Sequence, residues 1–328
     1  MRIAVDAMGG DYAPEEIIKG AISALEERDL KIILLGSREK VALELSKYKF
    51  KEENLSVIDC KEYIESGEVP LNALHTKKDS SMVVGMNLLK NKEADTFISA
   101  GNSGAMMAAA FLILGCIPPL TRPAIPATFT FGESKVLLLD VGANVDCKPE
   151  HFKQFALMGS QYAQYIFKID NPRVGLLNIG EEENKGNKAV QEAFAVLSNS
   201  KVNFVGNIEA KDIFKGKAEV IVCDGFVGNV LLKYTEALAK LLLTEINSRI
   251  IALLPPHSEM DQLRQNFREL VKVTDYTEYG GSLLLGVKGL CFVCHGRSKA
   301  KAIKNAIINA TKFVDSNILQ YLEHLEKV

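Results

Sequence analysis

The chain has 328 residues, is 47% hydrophobic and 24% charged, and carries a formal net charge of −2. That length suits about two domain-sized units, or one large α/β domain with an excursion, and can bury a sizeable core. The near-neutral balance and the lack of a basic arm exclude the electrostatic footprint of a nucleic-acid binder.

The sequence opens Met1-Arg2-Ile3-Ala4-Val5-Asp6 and enters a strand pattern directly. It shows no charged leader, apolar stretch and cleavage site, so a cytoplasmic protein is expected. Strands are predicted at 2–5, 31–35, 55–59, 96–99, 127–131, 136–140, 173–178, 202–206, 219–223 and 289–294. Several are apolar throughout, as strands covered on both faces are. Helices with a 3.6-residue apolar rhythm fit between them. One is 14–27, with Ile17, Ile18, Ala21, Ile22 and Leu25 inward and Pro14 in its first turn. The run 105–117 is too short to span a bilayer and reads as a buried helix. This βαβ order predicts an α/β fold with a mainly parallel sheet, as a single domain over 1–328. The clearest excursion is 230–273. There a long apolar helix, a break at Pro255-Pro256 and a charged return through Asp261, Arg264, Arg268 and Glu269 predict a projecting helical hairpin.

Six cysteines in a reducing compartment are expected to be thiols. Cys291-Phe292-Val293-Cys294-His295 matches a haem-attachment spacing, but only one Cys-x-x-Cys exists and the same residues read as a buried strand. No metal and no cofactor are expected.

Ligands in open parallel sheets bind beyond the carboxyl ends of strands. Five predicted strand exits share one chemistry: Asp6-Ala7-Met8-Gly9-Gly10-Asp11, Ala100-Gly101-Asn102-Ser103-Gly104, Asp140-Val141-Gly142-Ala143-Asn144, Asn178-Ile179-Gly180 with Lys185, and Asp224-Gly225-Phe226-Val227-Gly228-Asn229. Glycines let backbone N–H groups approach a ligand, and helix starts bind anions. Taken singly, each loop reads better as a helix cap or tight turn; together they predict one shared site. No dinucleotide, P-loop or nucleophile-elbow fingerprint occurs; Gly281 to Lys288 approaches a P-loop, but Val287 displaces the lysine. The loop His295-Gly296-Arg297-Ser298-Lys299-Ala300-Lys301 is basic where a helix start prefers acids, which an anionic ligand would explain.

These stretches, together with Leu139 to Glu150, Asn178-Ile179-Gly180-Glu181-Glu182 and His295-Gly296, closely resemble one family over essentially the whole chain: the acyl-carrier-protein:phosphate acyltransferases of bacterial phospholipid synthesis, PlsX. Two departures occur. Ser103 stands where the family usually carries Thr, and Ser282-Leu283 follows Gly280-Gly281 where Ala-Pro is usual.

The resemblance implies a Rossmann-like, three-layer, phosphotransacetylase-like fold, a homodimer, and acyl transfer from acyl carrier protein to inorganic phosphate. The acyl phosphate would pass to a membrane glycerol-3-phosphate acyltransferase. On this reading phosphate is placed near Lys185, Lys301 and the helix start at Gly101-Asn102-Ser103-Gly104. The thioester carbonyl is placed near Asn144 and Asn229, with His295 as acid or hydrogen-bond donor. Asp6, Asp140, Asn178 and Asp224 orient these groups or cap strand ends. Ile250, Ile251, Leu253 and Leu254 make an apolar hairpin tip that fits either a membrane surface, peripheral at the inner face of the cell membrane, or a dimer core. Arg264, Arg268 and Lys272 are candidates for docking the acidic carrier. A coenzyme A phosphotransacetylase and a non-catalytic carrier-binding scaffold are the competing readings.

Overall fold

The computed structural model describes residues 1–132, 134–249, 261–267, 269, 275–316 and 318–322. Ten of the predicted strands are present: β1 (Arg2–Asp6), β2 (Lys31–Gly36), β3 (Leu55–Asp59), β4 (Thr96–Ser99), β5 (Pro126–Phe131), β6 (Ser134–Leu139), β7 (Arg173–Asn178), β8 (Asn203–Glu209), β9 (Val220–Val222) and, last in the chain, β11 (Cys291–Cys294). The strand β10 (Gly281–Leu283) was not expected: three residues are too few for a period to show. The stretch that approaches a P-loop is therefore an antiparallel strand and its exit.

The strands divide between two sheets rather than one. The first has the order β10-β11-β4-β1-β2-β3 and the second β5-β6-β9-β7-β8. In each, only the edge strand (β10 or β5) is antiparallel. One core joins them: Ile3 and Phe292 of the first sheet belong to the same buried cluster as Leu137 and Val174 of the second. The chain crosses between sheets after residue 114, where the bridges Cys116 to Val287 and Ala124 to Leu285 tie the outgoing and returning segments together.

Helices cover the sheets: α1 (Glu15–Glu27), α2 (Arg38–Leu45), α3 (Pro70–Thr76), α4 (Ser81–Lys90), α5 (Ser103–Ala109), α6 (Pro149–Tyr162), α7 (Lys188–Ser198), α8 (Gly225–Arg249), α9 (Ala300–Asp315) and α10 (Ile318–Leu322). In α1 the acids Glu15 and Glu16 face the positive helix end, while Ile17, Ile18, Ala21 and Ile22 are buried. Cys291 and Cys294, three apart on β11, fall on opposite sides of the sheet and join different core clusters. They cannot close on one metal or haem.

The first arm of the predicted hairpin is α8, and residues 261–267 are also helical. Ile250, Ile251, Leu253, Leu254, Pro255, Pro256, Arg268 and Lys272 lie outside the described residues. Arg264 is described and sits 3.4 Å from Asp261.

The root of α8 is wedged against the second sheet. A Cβ placed on Gly228 would lie 1.9 Å from the Asp140 carbonyl oxygen. Alanine is ordinarily favoured over glycine in a helix by about 1 kcal/mol. Here the sign should reverse: Gly228→Ala is expected to lower stability by about 1–3 kcal/mol through overpacking, read as a lower denaturation midpoint.

Candidate functional site

The glycine-rich exits form two groups, one per sheet, and a cavity of about 1520 Å³ lies over the first. Its walls are Asp11 from the β1 exit, Gly101, Asn102, Ser103 and Gly104 from the β4 exit, and His295, Gly296 and Arg297 from the β11 exit. The opposite wall is a face of α8, with Lys233, Glu236, Lys240 and Asn247.

Asp6 organises the first group from beneath. It is buried and accepts hydrogen bonds from the Ser99 hydroxyl at 2.7 Å and the Met8 amide at 3.1 Å. Ser99 Oγ in turn accepts from Gly101 N–H at 3.0 Å, so one carboxylate couples the β1 and β4 exits. Burial pushes the Asp6 carboxyl up, and its hydrogen bonds from Ser99 and Met8 work against that. The β11 exit is joined by Asp11 N–H to the Gly296 carbonyl at 2.8 Å. Asn102 is a clamp. Its Oδ1 accepts from Ala105 N–H at 3.0 Å, capping α5, while Nδ2 donates to the carbonyls of Glu65, Ser66 and Glu68. Ser103 and Gly104, in the first helical turn, line the cavity, and helix geometry leaves their backbone N–H groups without an intrahelical partner.

The cavity is electrostatically mixed. Lys233, Lys240 and Arg297 bring positive charge, and Glu236 sits among them, 3.6 Å from Arg297 and 3.9 Å from His295 Nε2. Tyr276 packs edge-on against His295 at 4.9 Å and lies under the Arg297 guanidinium at 5.0 Å. Burial depresses the His295 pKa below its ordinary value, Glu236 opposes this, and Arg297 and Lys233 reinforce it. The imidazole is therefore neutral near pH 7, with one nitrogen to donate and one to accept.

The second group lies under the root of α8. Asp140 is fully buried and accepts four hydrogen bonds: Ile125 N–H (3.0 Å) and Ala143 N–H (3.1 Å) on Oδ1, Asn144 N–H (2.6 Å) and Asn144 Nδ2 (3.0 Å) on Oδ2. Asn144 Nδ2 also donates to the Pro123 carbonyl, and its own carbonyl accepts from Gly225 N–H at 2.7 Å. Asp224 caps α8 by accepting from Val227 N–H, and Asn229 Nδ2 donates to the Val141 carbonyl at 3.0 Å. Asn144 and Asn229 thus spend their amides on backbone carbonyls.

The remaining sequence candidates lie outside the cavity lining. Asn178 holds the Lys185 carbonyl at 3.1 Å, and Lys185 Nζ is 4.0 Å from Glu182. Lys301 is bound by Glu278 at 2.7 Å and Asp275 at 3.1 Å, so two carboxylates already compensate its charge. The α8 residues were not anticipated. Their signal was available: Lys233, Glu236, Lys240, Thr244 and Asn247 recur at three- and four-residue spacing along one helix face.

No cysteine is poised as a nucleophile. Burial raises all six thiols, Cys147 and Cys60 to about 12. Among the described residues, Glu181, Glu209 and Asp212 could converge on a cation. Lys211, Lys215 and Lys217 already pair with them at 2.7 to 2.8 Å.

Residues 1–321 match the family model described as fatty acid synthesis protein. A phosphate acyltransferase from Dictyoglomus turgidum is 47% identical over 100% of the chain and 98% of that protein. Another from Thermoanaerobacter pseudethanolicus is 48% identical over 98% and 96%. The chain belongs to the phosphate acyltransferase family. Among solved structures, a phosphotransacetylase from Streptococcus pyogenes superposes with a TM-score of 0.61 at 19% identity, covering 96% of this chain and 94% of that one. A 4-hydroxythreonine-4-phosphate dehydrogenase from Klebsiella pneumoniae gives 0.55 at 12%, covering 95% and 99%. Both likenesses speak to the fold, and they bear out the phosphotransacetylase-like α/β architecture expected from the sequence.

The depressed His295 pKa has a signed consequence. The folded state takes up this proton less readily than the unfolded chain, so the group subtracts stability as pH falls below the ordinary histidine value of about 6.5. His295→Gln should therefore flatten the loss of melting temperature on acidification below that pH; an unchanged slope would show that His295 is not the titrating group.

Proposed function

We propose that the chain transfers a fatty acyl group from acyl carrier protein to inorganic phosphate, and that the transfer takes place in the cleft between the first sheet's strand exits and α8. Family membership over the whole chain carries the reaction. The cleft is supported by the convergence of a helix start, two lysines, an arginine and a neutral histidine around one cavity.

The chemistry fits that equipment. A phosphate oxygen forms the new C–O bond at the thioester carbonyl, the C–S bond breaks, and the electron pair leaves with the carrier thiolate. Phosphate is already anionic, and a thiol of pKa about 8.5 leaves readily, so the protein needs no nucleophile of its own. It must hold phosphate beside the carbonyl and stabilise the oxyanion of the tetrahedral intermediate. Lys233, Lys240 and Arg297 hold phosphate, and the N–H groups of Ser103 and Gly104 face the oxyanion. Neutral His295 hydrogen-bonds to phosphate or to the departing sulfur. In this reading Asp6, Asp140, Asn144, Asp224 and Asn229 position the two walls, and Asn178, Lys185 and Lys301 stand behind them.

The same reading places this enzyme upstream of a membrane acyltransferase that uses glycerol 3-phosphate. Among the described residues no helix is long and apolar enough to cross a membrane, and peripheral membrane contact through the apolar sequence 250–254 is part of the proposal. A homodimer is also proposed. Its support is the outer face of α8, where Val230, Tyr234, Leu238 and Leu241 are 54%, 65%, 40% and 57% exposed at helical spacing.

Purified protein incubated with a long-chain acyl carrier thioester should release carrier thiol only when phosphate is present, with acyl hydroxamate trapped by hydroxylamine. Thiol release without phosphate dependence, or no hydroxamate, sinks the assignment. Within the site, Lys233→Ala or Arg297→Ala should raise the KM for phosphate about tenfold, one charged hydrogen bond's worth. A larger effect from Lys301→Ala would move the phosphate site to the far side of Asp275.

A further inference from the structure

The apolar run 105–117 does not behave as a wholly buried helix. Ser103 and Gly104 line the cavity, and the helix they start continues from α5 into the π-turn Ala110–Leu114, closed by Gly115 N–H to the Ala110 carbonyl at 3.2 Å. Such turns are uncommon and often mark functional sites. Residues 104, 107, 108 and 111 recur at three- and four-residue spacing, so Met107, Ala108 and Phe111 continue the face that Gly104 begins. Phe111 is 41% and Leu112 62% exposed. Alongside, Val69 and Leu71 are 62% and 58% exposed where α3 packs on α5, with Pro70 against Gly104. No charged residue occurs from Ser103 to Ile117.

Phe111, Leu112, Val69 and Leu71 are thus four large exposed apolar side chains on neighbouring segments beside a polar cleft. The two walls of the cleft differ in kind. The α8 wall is mainly polar, from Lys233 through Lys240 to Asn247 with Ala237 and Leu243 between them, and suits the amide-bearing arm of a carrier. The α3–α5 side offers uncharged, apolar surface that begins where Ser103 and Gly104 line the cavity. Helical side chains lean toward the N-terminus, here toward the cavity. From Gly104 to Leu112 this surface extends about 12 Å.

We propose that this face is the subsite for the hydrocarbon chain of the acyl donor, with the thioester carbonyl at Ser103-Gly104 and the chain laid along Met107, Phe111 and Leu112 beside Val69 and Leu71. It rests on the acyl-transfer reading above and adds where the chain lies and what sets its length preference.

The test compares kcat/KM for palmitoyl and butyryl carrier thioesters. The Phe111→Ser/Leu112→Ser double variant should lower the palmitoyl-to-butyryl ratio about tenfold, the loss of a few buried methylenes. The control Leu43→Ser, at a 70% exposed leucine on α2, should leave the ratio as in the parent. An unchanged ratio in the double variant overturns the proposal, as does a parent enzyme indifferent to chain length. So does an unchanged ratio accompanied by loss of dimer or of binding to anionic phospholipid vesicles, which would give the face to a second copy or a membrane. If the double variant melts early, Leu112→Ser alone reads the same ratio. Failure of the parent to use either donor refutes the acyltransferase reading itself, and that arm is independent of every variant.

Discussion

The buried carboxylate of Asp140 is the constraint on which the cleft depends. Placing an unpartnered charge in the interior costs several kcal/mol. Four hydrogen bonds to a charged group, each of about 1.5–3 kcal/mol, can offset that only if all four are made. Making them bends residues 140–144 into one compact turn, with both Asn144 donors and the Ala143 amide aimed inward. That turn supplies the carbonyl that receives Gly225 and the surface against which Gly228 is wedged. The direction of α8, and with it the placement of Lys233, Glu236 and Lys240, follows from this packing.

Asp6 does the same for the opposite wall, through Ser99 and Gly101. The two aspartates stand at corresponding places, each at the carboxyl end of a strand of its sheet. Neither lines the cavity. Burial raises both, while backbone and hydroxyl donors hold them in fixed orientation. The groups that face the cavity are more exposed: lysine and arginine heads and an imidazole. The division of labour is physical. Buried carboxylates set geometry, and the solvated cations of the cavity stay charged without the desolvation that would make them costly. Glu236 tempers this concentration of positive charge and keeps Arg297 and His295 in register.

Much of the fold was legible in the sequence because buried parallel strands advertise themselves as short apolar runs. Thr96–Ser99 and Arg173–Asn178 begin and end where those runs do. The glycine-rich exits were legible too, since tight turns restrict residue type. Their shared chemistry nevertheless implied a single site, whereas they belong to two sheets. Asn144 and Asp140 satisfy each other and Asn229 holds the Val141 carbonyl beside them, while Asn102, Ser103, Gly104 and His295 meet at the cavity. A residue's type states what it can donate or accept; it does not state which partner will take it. Lys301 shows this most simply, because Glu278 and Asp275 come to it from another segment.

By itself the sequence determined the α/β class, the alternation of strands and helices, the family, and the glycine- and asparagine-rich composition of the loops at the strand exits. Those properties follow from local periodicity, residue type and long identical motifs. Only the tertiary structure decided that two sheets share one core, that Cys291 and Cys294 face apart, and that α8 crosses from one sheet's exits to close a cleft over the other's. These depend on long-range packing, in which the position of each element is set by neighbours distant in the chain, and no local pattern records them.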